Sequence, residues 1–156
     1  ISGAYLLEEE AIHSVDGIFC APVEAKICLW RGQQCHPDDL RTCDLTGVPS
    51  HFRFMTSNIR LEPLVNLLGG VSRKADKPEI WSLIEADASR ILGNKNCRVK
   101  QTCLSQDGQH LAVTMEMRTF MGFKIRHLGL FYSVQDKAVV GRIARGKRET
   151  NGWIQN

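Results

Sequence analysis

The sequence predicts an α+β fold in which a four-stranded antiparallel meander, about residues 97–145, is covered by a helix at about residues 77–92. A small cysteine-rich N-terminal lobe of hairpins precedes them. Three observations support this fold class: an apolar stripe at helical spacing, two turn signals that place the same apolar residues on one sheet face, and a cysteine-glycine-histidine repeat. Helices and strands have different side-chain periods, so the first two observations separate the elements.

We expect a single domain over residues 1–156, since a chain of this length can bury one hydrophobic core. Residues 15–56 form a Cys/His-rich hairpin lobe, residues 57–146 a helix-plus-sheet core, and residues 147–156 a polar tail. The composition is 43% hydrophobic and 24% charged, which is typical of a globular protein. A net charge of +3 does not by itself indicate a polyanionic partner.

The predicted helix follows Asp76, has Pro78 in its first turn and ends at Gly93. Proline is favoured at the start of a helix and glycine just after its end. The apolar residues recur at intervals of three and four, which predicts one stripe packed against a sheet: Ile80, Leu83, Ile84, Ala88, Ile91 and Leu92.

Two turn signals, Met-Gly and Asp-Lys, define the strand register of the predicted sheet. The first turn pairs Met115 with Leu128, and the second pairs Leu130 with Ile143. Both registers place one apolar set on the same face: Val113, Met115, Leu128, Leu130, Tyr132, Val134, Val139 and Ile143. Because a slip of one residue would invert every side chain, this agreement supports the sheet.

The hairpin lobe contains a fifteen-residue repeat, Cys28-x3-Gly32-x3-His36 followed by Cys43-x3-Gly47-x3-His51. Two thiolates and two imidazoles suit tetrahedral zinc, so we predict a zinc site at Cys28, His36, Cys43 and His51. The alternative ligand set is Cys20, Cys28, Cys35 and Cys43. A second interpretation, in which the cysteines are small buried hydrophobes, stays open because the Cys-x2-Cys spacing of common zinc sites is missing.

The sheet face opposite the apolar one carries basic residues between aromatic ones. Arg118 and Arg142 lie on this face, and Lys124 and Arg126 lie at the far end of the core face, where a strand overhangs the helix. This pattern predicts, as an alternative function, a single-stranded nucleic-acid-binding module. A further interpretation is that a second layer, such as the hairpin lobe, covers the apolar residues of this face.

The leading functional prediction is a non-enzymatic adaptor or interaction module of a larger assembly. Its partner would be another protein or a neighbouring domain of a longer chain, because no nucleophile–base–orienter set can be assembled from the sequence. A metal-dependent hydrolase at Cys35, His36 and Asp38 is the other alternative. Six cysteines without a secretion signal or an apolar membrane segment predict reduced thiols, a cytoplasmic location and no membrane partner.

Overall fold

The computed structural model describes residues 11–119, 121–150 and 152–156. Its largest element is a five-stranded antiparallel sheet with the strand order β11-β10-β9-β8-β7. The strands are β7 (Cys97–Leu104), β8 (His110–Thr119), β9 (Lys124–Ser133), β10 (Ala138–Glu149) and β11 (Gly152–Gln155). The meander predicted from the sequence is therefore present and gains a fifth strand.

The predicted register of β8 and β9 is confirmed, since Met115 lies opposite Leu128 and Val113 opposite Leu130. The predicted pair at the turn itself includes Phe120, which lies outside the described residues. The predicted register of β9 and β10 is wrong by two residues near their turn, where Val139 lies opposite Tyr132. A bulge between Val140 and Ala144 takes up this shift. A shift of two residues keeps every side chain on its own face.

One face of the sheet packs against α2 (Trp81–Leu92), which a short 3-10 turn (Pro78–Ile80) precedes. Ile84 and Ala88 of α2 are fully buried against this face. The predicted apolar set lies in this core cluster: Val113, Met115, Leu128, Leu130 and Tyr132 are buried, and Val134, Val139 and Ile143 pack at its margin. The helix ends at Gly93, as predicted from the sequence. This glycine has a φ of +64°, the left-handed conformation common at helix ends.

The other face of the sheet is also covered. The short helix α1 (Glu62–Leu68) and the hairpin lobe form a second core cluster with the sheet residues Ala112, Phe131 and Ala144. The ring of Phe131 lies 6.0 Å from that of Trp30 in the hairpin lobe. The hairpin lobe and the sheet therefore share one hydrophobic core.

The hairpin lobe contains three two-stranded sheets in succession. They are β1 (Ile12–His13) with β2 (Phe19–Cys20), β3 (Lys26–Cys28) with β4 (Gln33–Cys35), and β5 (Leu40–Thr42) with β6 (Pro49–His51). Each is followed by a 3-10 turn: Pro22–Glu24, Pro37–Asp39 and Phe52–Phe54. Gly17, Gly32 and Gly47 occupy equivalent hairpin positions with φ of +79°, +76° and +76°. From residue 11 onward the repeat thus has three units, where the sequence predicted two.

The third hairpin docks on the bulge of β10. The N–H of Arg142 donates to the carbonyl oxygen of Thr46 over 2.8 Å. Gly141 has a φ of +74°, and a Cβ added there would lie 2.0 Å from that same oxygen. Only glycine allows both this backbone conformation and this approach, so Gly141 determines how closely the lobe sits on the sheet.

Residues 147–156, predicted to be a polar tail, instead continue β10 to Glu149 and form β11. Gly146 lies against the ring of Trp153, whose Nε1 donates to the carbonyl oxygen of His127 over 3.1 Å. This single anchored aromatic residue explains why a polar segment is ordered as a strand. None of the helices in the described ranges is long and apolar enough to cross a membrane.

Candidate functional site

The two histidines of the predicted zinc site both cap 3-10 turns. Nδ1 of His36 accepts the backbone N–H of Asp38 over 3.1 Å, and Nδ1 of His51 accepts that of Arg53 over 3.1 Å. A neutral imidazole that accepts at Nδ1 carries its proton on Nε2. In this arrangement neither ring nitrogen presents a lone pair to a metal ion.

The two cysteines of the same prediction are also engaged. Sγ of Cys28 accepts the N–H of His51 over 3.3 Å, and Sγ of Cys43 accepts the N–H of Leu61 over 3.4 Å. The carboxylate of Asp39, which is 5% exposed, accepts the N–H of Val15 over 3.0 Å. The Cys28 bond thus joins the second hairpin to the third, the Asp39 bond joins the first hairpin to the turn after the second, and the Cys43 bond joins the third hairpin to the start of the short helix Glu62–Leu68.

Within the described residues, no three His, Cys, Asp or Glu side chains lie close enough together to hold a metal ion. This observation does not favour either zinc ligand set, and both sets stay predictions. In the alternative set, burial first and then Cys28, Asp39 and Cys20 raise the pKa of the Cys35 thiol to about 11. All six cysteines are free thiols.

The high pKa of Cys35 also bears on the predicted hydrolase site. The thiolate is the nucleophilic form of cysteine, and burial keeps this thiol protonated at neutral pH. His36 is 1% exposed, and its Nδ1 faces the backbone of Asp38. Cys35, His36 and Asp38 are near one another in the chain, but these contacts do not activate the thiol.

The basic residues predicted for nucleic acid separate into two groups. Arg118, Lys124 and Arg126 lie at the end of the sheet near the β8–β9 turn, where Arg118 is opposite Ile125. Arg142 lies at the bulge, where its guanidinium donates to the carbonyl oxygen of Asp44 and so tethers the third hairpin. Arg142 is therefore not adjacent to the other three.

A basic groove of about 470 Å³ lies on the second sheet face, beside α1. Its size is within the range of small-ligand sites. The polar residues that line it are Arg73, Lys74, Lys100, Gln101, Thr114, Glu116, His127 and Arg148. They include four cations and one carboxylate, so the groove is strongly positive while the whole chain is only slightly so.

The floor of the groove is formed by paired strands. Gln101 on β7 lies opposite Thr114 on β8, and Glu116 on β8 lies opposite His127 on β9. The pairing of β7 shifts register between Val99 and Gln101, which leaves Lys100 as an extra residue. Such a bulge re-aims side chains, and here Lys100 and Gln101 both reach the groove.

Three buried polar atoms of the groove have no hydrogen-bond partner among the described residues: Oε1 of Gln101, Oγ1 of Thr114 and Nδ1 of His127. Thr114 is only 5% exposed. An unpaired buried polar group costs on the order of 1–3 kcal/mol, so each of these three atoms is a place where a hydrogen-bond partner would stabilise the protein. Seven other buried polar atoms of the described residues, all outside the groove, are unpaired as well.

Electrostatic contacts inside the groove surround Glu116. Its Oε2 lies 3.5 Å from Nζ of Lys100, and its Oε1 lies 3.8 Å from Nε2 of His127. Burial first and then Arg148 lower the pKa of His127, while Glu116 raises it. A lowered pKa favours the neutral form of His127, so this side chain adds little positive charge to the groove at pH 7.

The walls of the groove come from two distant parts of the chain. Leu64 and Leu68 of α1 pack on Gly129, where a Cβ would lie 3.0 Å from Leu68. The segment after α1 then runs beside β7, and the N–H of Thr102 in β7 donates to the carbonyl oxygen of Lys74 in this segment over 3.0 Å. On the other side, Nη2 of Arg148 donates to the carbonyl oxygen of Leu68 over 3.1 Å. A backbone hydrogen bond thus holds one wall in place, and a side-chain hydrogen bond holds the other.

No protein-family model matches this chain, and neither does any curated protein or any solved structure.

Sequence reasoning missed the groove. The sequence offered one signal, since Thr114 is a polar residue within the otherwise apolar run from Leu111 to Met115. The pairs Arg73-Lys74 and Lys147-Arg148 were a second signal, but they are more than seventy residues apart in the chain. Only the fold brings them to opposite walls.

Proposed function

We propose that this protein is a non-enzymatic binding module for phosphate-bearing ligands, with the basic groove as its binding site. The observation that carries the proposal is the concentration of four cations around one concave groove, whose lining residues also include three unpaired buried polar atoms. Phosphate oxygens accept several hydrogen bonds and carry negative charge, so a phosphate group complements both features.

The donors present suit that chemistry. Thr114 can donate from its hydroxyl, and Gln101 from its amide group once the amide is turned. Lys100 and Arg148 supply charge at the rim. Glu116 neutralises part of this charge, which favours ligands that also carry a hydroxyl or amine donor.

The first test is calorimetric titration with inorganic tripolyphosphate. We expect Lys100→Gln to weaken binding about tenfold, in line with the loss of one charged hydrogen bond. Lys95→Gln, an exposed lysine outside the groove, is the matched control and should bind as the unchanged protein does. Equal affinities for both variants would contradict the proposal.

Thr114→Val gives a sharper test, because it removes one hydroxyl and little else. A polar atom that is buried and unpaired destabilises the fold, so its removal should leave the free energy of unfolding unchanged or raise it. Affinity for tripolyphosphate should fall about fivefold, the loss expected from one hydrogen bond. A variant that is less stable but binds equally well would show that the hydroxyl serves the fold.

The adaptor function predicted from the sequence is a second candidate. It is favoured by four large apolar side chains exposed on the first two hairpins: Val15, Ile18, Phe19 and Ile27. Such side chains mark contact surfaces when they form a continuous patch. A compact monomer that recovers no partner in a pull-down would count against this function.

A further inference from the structure

The basic groove continues along the sheet toward the β8–β9 turn. Alternate residues of a strand share a face, so Arg118 follows Thr114 and Glu116 on β8, and Ile125 precedes His127 on β9. Arg118 is exposed and Ile125 is 36% exposed. The walls formed by α1 and Arg148 therefore enclose the inner part of this face, and the outer part is accessible.

Two large apolar side chains stand at the end of this path. Met121 is 96% exposed and Phe123 is 87% exposed, both in the turn between β8 and β9. Single exposed apolar residues are common on protein surfaces. Here, however, they lie between Arg118 and Lys124, next to a basic path that begins in the groove.

The spacing suits a chain molecule. Thr114 and Thr119 are five residues apart on one strand, a distance of about 17 Å at the usual rise per residue. A compact phosphate ligand in the groove cannot reach the turn over this distance. A short stretch of a polymer with repeated phosphates can bridge it, with one phosphate in the groove and another near Arg118.

We propose that this polymer is single-stranded nucleic acid, with a phosphate bound in the groove and a base stacked on Phe123. This inference rests on the proposed function of the groove. Aromatic stacking needs an unpaired base, which favours a single strand over a duplex as the ligand. Basic residues along a sheet with an exposed aromatic ring are the usual means of binding single strands.

The experiment compares fluorescently labelled ten-nucleotide oligo(U) and oligo(dT) with tripolyphosphate. The strands should bind more tightly than tripolyphosphate and lose affinity as salt rises. Phe123→Ala should weaken strand binding by about 5- to 100-fold, the range for one lost base stack. It should leave tripolyphosphate binding unchanged. Phe19→Ala, which changes an exposed aromatic residue on the first hairpin, is the control and should alter neither.

The outcomes separate the two proposals. If tripolyphosphate binds through Lys100 but strands bind no more tightly and ignore Phe123→Ala, the nucleic-acid inference is overturned and the groove remains a phosphate site. If neither ligand binds, both proposals fail. Vesicles of phosphatidylserine and phosphatidylcholine form a third arm. If the protein binds vesicles but not strands, and vesicle binding requires Phe123, the inference is overturned in favour of a membrane surface.

Discussion

The contact between the third hairpin and the bulge of β10 can be tested by replacing Gly141 with alanine. Gly141 has a φ of +74°, and an added Cβ would meet the carbonyl oxygen of Thr46 at 2.0 Å. The substitution therefore has two effects, a backbone conformation that alanine adopts with difficulty and a steric conflict with a neighbouring backbone atom.

The two effects have separate magnitudes. A left-handed conformation costs a residue other than glycine about 1–2 kcal/mol. Because the clash is with backbone, Thr46 must move away, which breaks the hydrogen bond from the N–H of Arg142 to its carbonyl oxygen. That bond contributes about 1 kcal/mol. We expect Gly141→Ala to lower the free energy of unfolding by about 2–3 kcal/mol in total.

Gly108→Ala is the matched control, because Gly108 has a φ of +73° and an added Cβ would meet nothing within 4 Å. Urea unfolding followed by tryptophan fluorescence measures both variants. We expect the midpoint of Gly141→Ala to lie about 0.5 M below that of Gly108→Ala, because 1 kcal/mol corresponds to about that shift. Equal midpoints would refute the argument that docking of the third hairpin depends on this close approach.

Three further predictions concern the histidines and Cys35. His51→Ala should lower the free energy of unfolding by about 1 kcal/mol. His51→Asn should restore most of it, because asparagine can accept the same backbone N–H. If His51 were a zinc ligand, asparagine would not restore stability, and elemental analysis would show metal lost from both variants. Burial lowers the folded-state pKa of His51, His110 and His127 below 6.5. The unfolded state therefore binds more protons in acid, so stability should be full above about pH 6.5 and fall as the pH decreases through the lowered pKa values. Urea midpoints between pH 5 and pH 8 check this, and a flat profile would argue against it. Alkylation of Cys35 by iodoacetamide, followed by peptide mass mapping, should accelerate toward pH 11 because burial raises the pKa of this thiol to about 11; a midpoint near pH 9 would contradict the burial argument.

The strand register of the sheet was predicted correctly where it depends on residues within two adjacent strands and their turn. The register of β8 and β9 follows from a short turn and from alternation within two adjacent strands. The register of β9 and β10 near their turn depends on a bulge at Gly141, which contacts Thr46 almost one hundred residues earlier. No pattern within β9 or β10 reports such a distant contact.

The repeat was only partly predictable for a related reason. The first unit shares its glycine, Gly17, with the other two, but His13 and Ala21 stand where they have cysteine and histidine. The shared feature is the positive φ of the glycine, a property of the backbone. The basic groove was harder still, because it depends on the bulge at Lys100 and on walls from distant segments.

The hydrogen bonds that join the hairpins of the lobe cross from one unit to the next. The N–H of Leu29 donates to the carbonyl oxygen of Pro49, and Asp39 receives the N–H of Val15. Arrays of this kind behave as linear chains of neighbours, so terminal units open before internal ones. Hydrogen exchange should accordingly be fastest in the first hairpin and slowest in the third. The same logic makes this lobe extensible, because one more fifteen-residue unit at its outer end would leave the docking on the sheet unchanged.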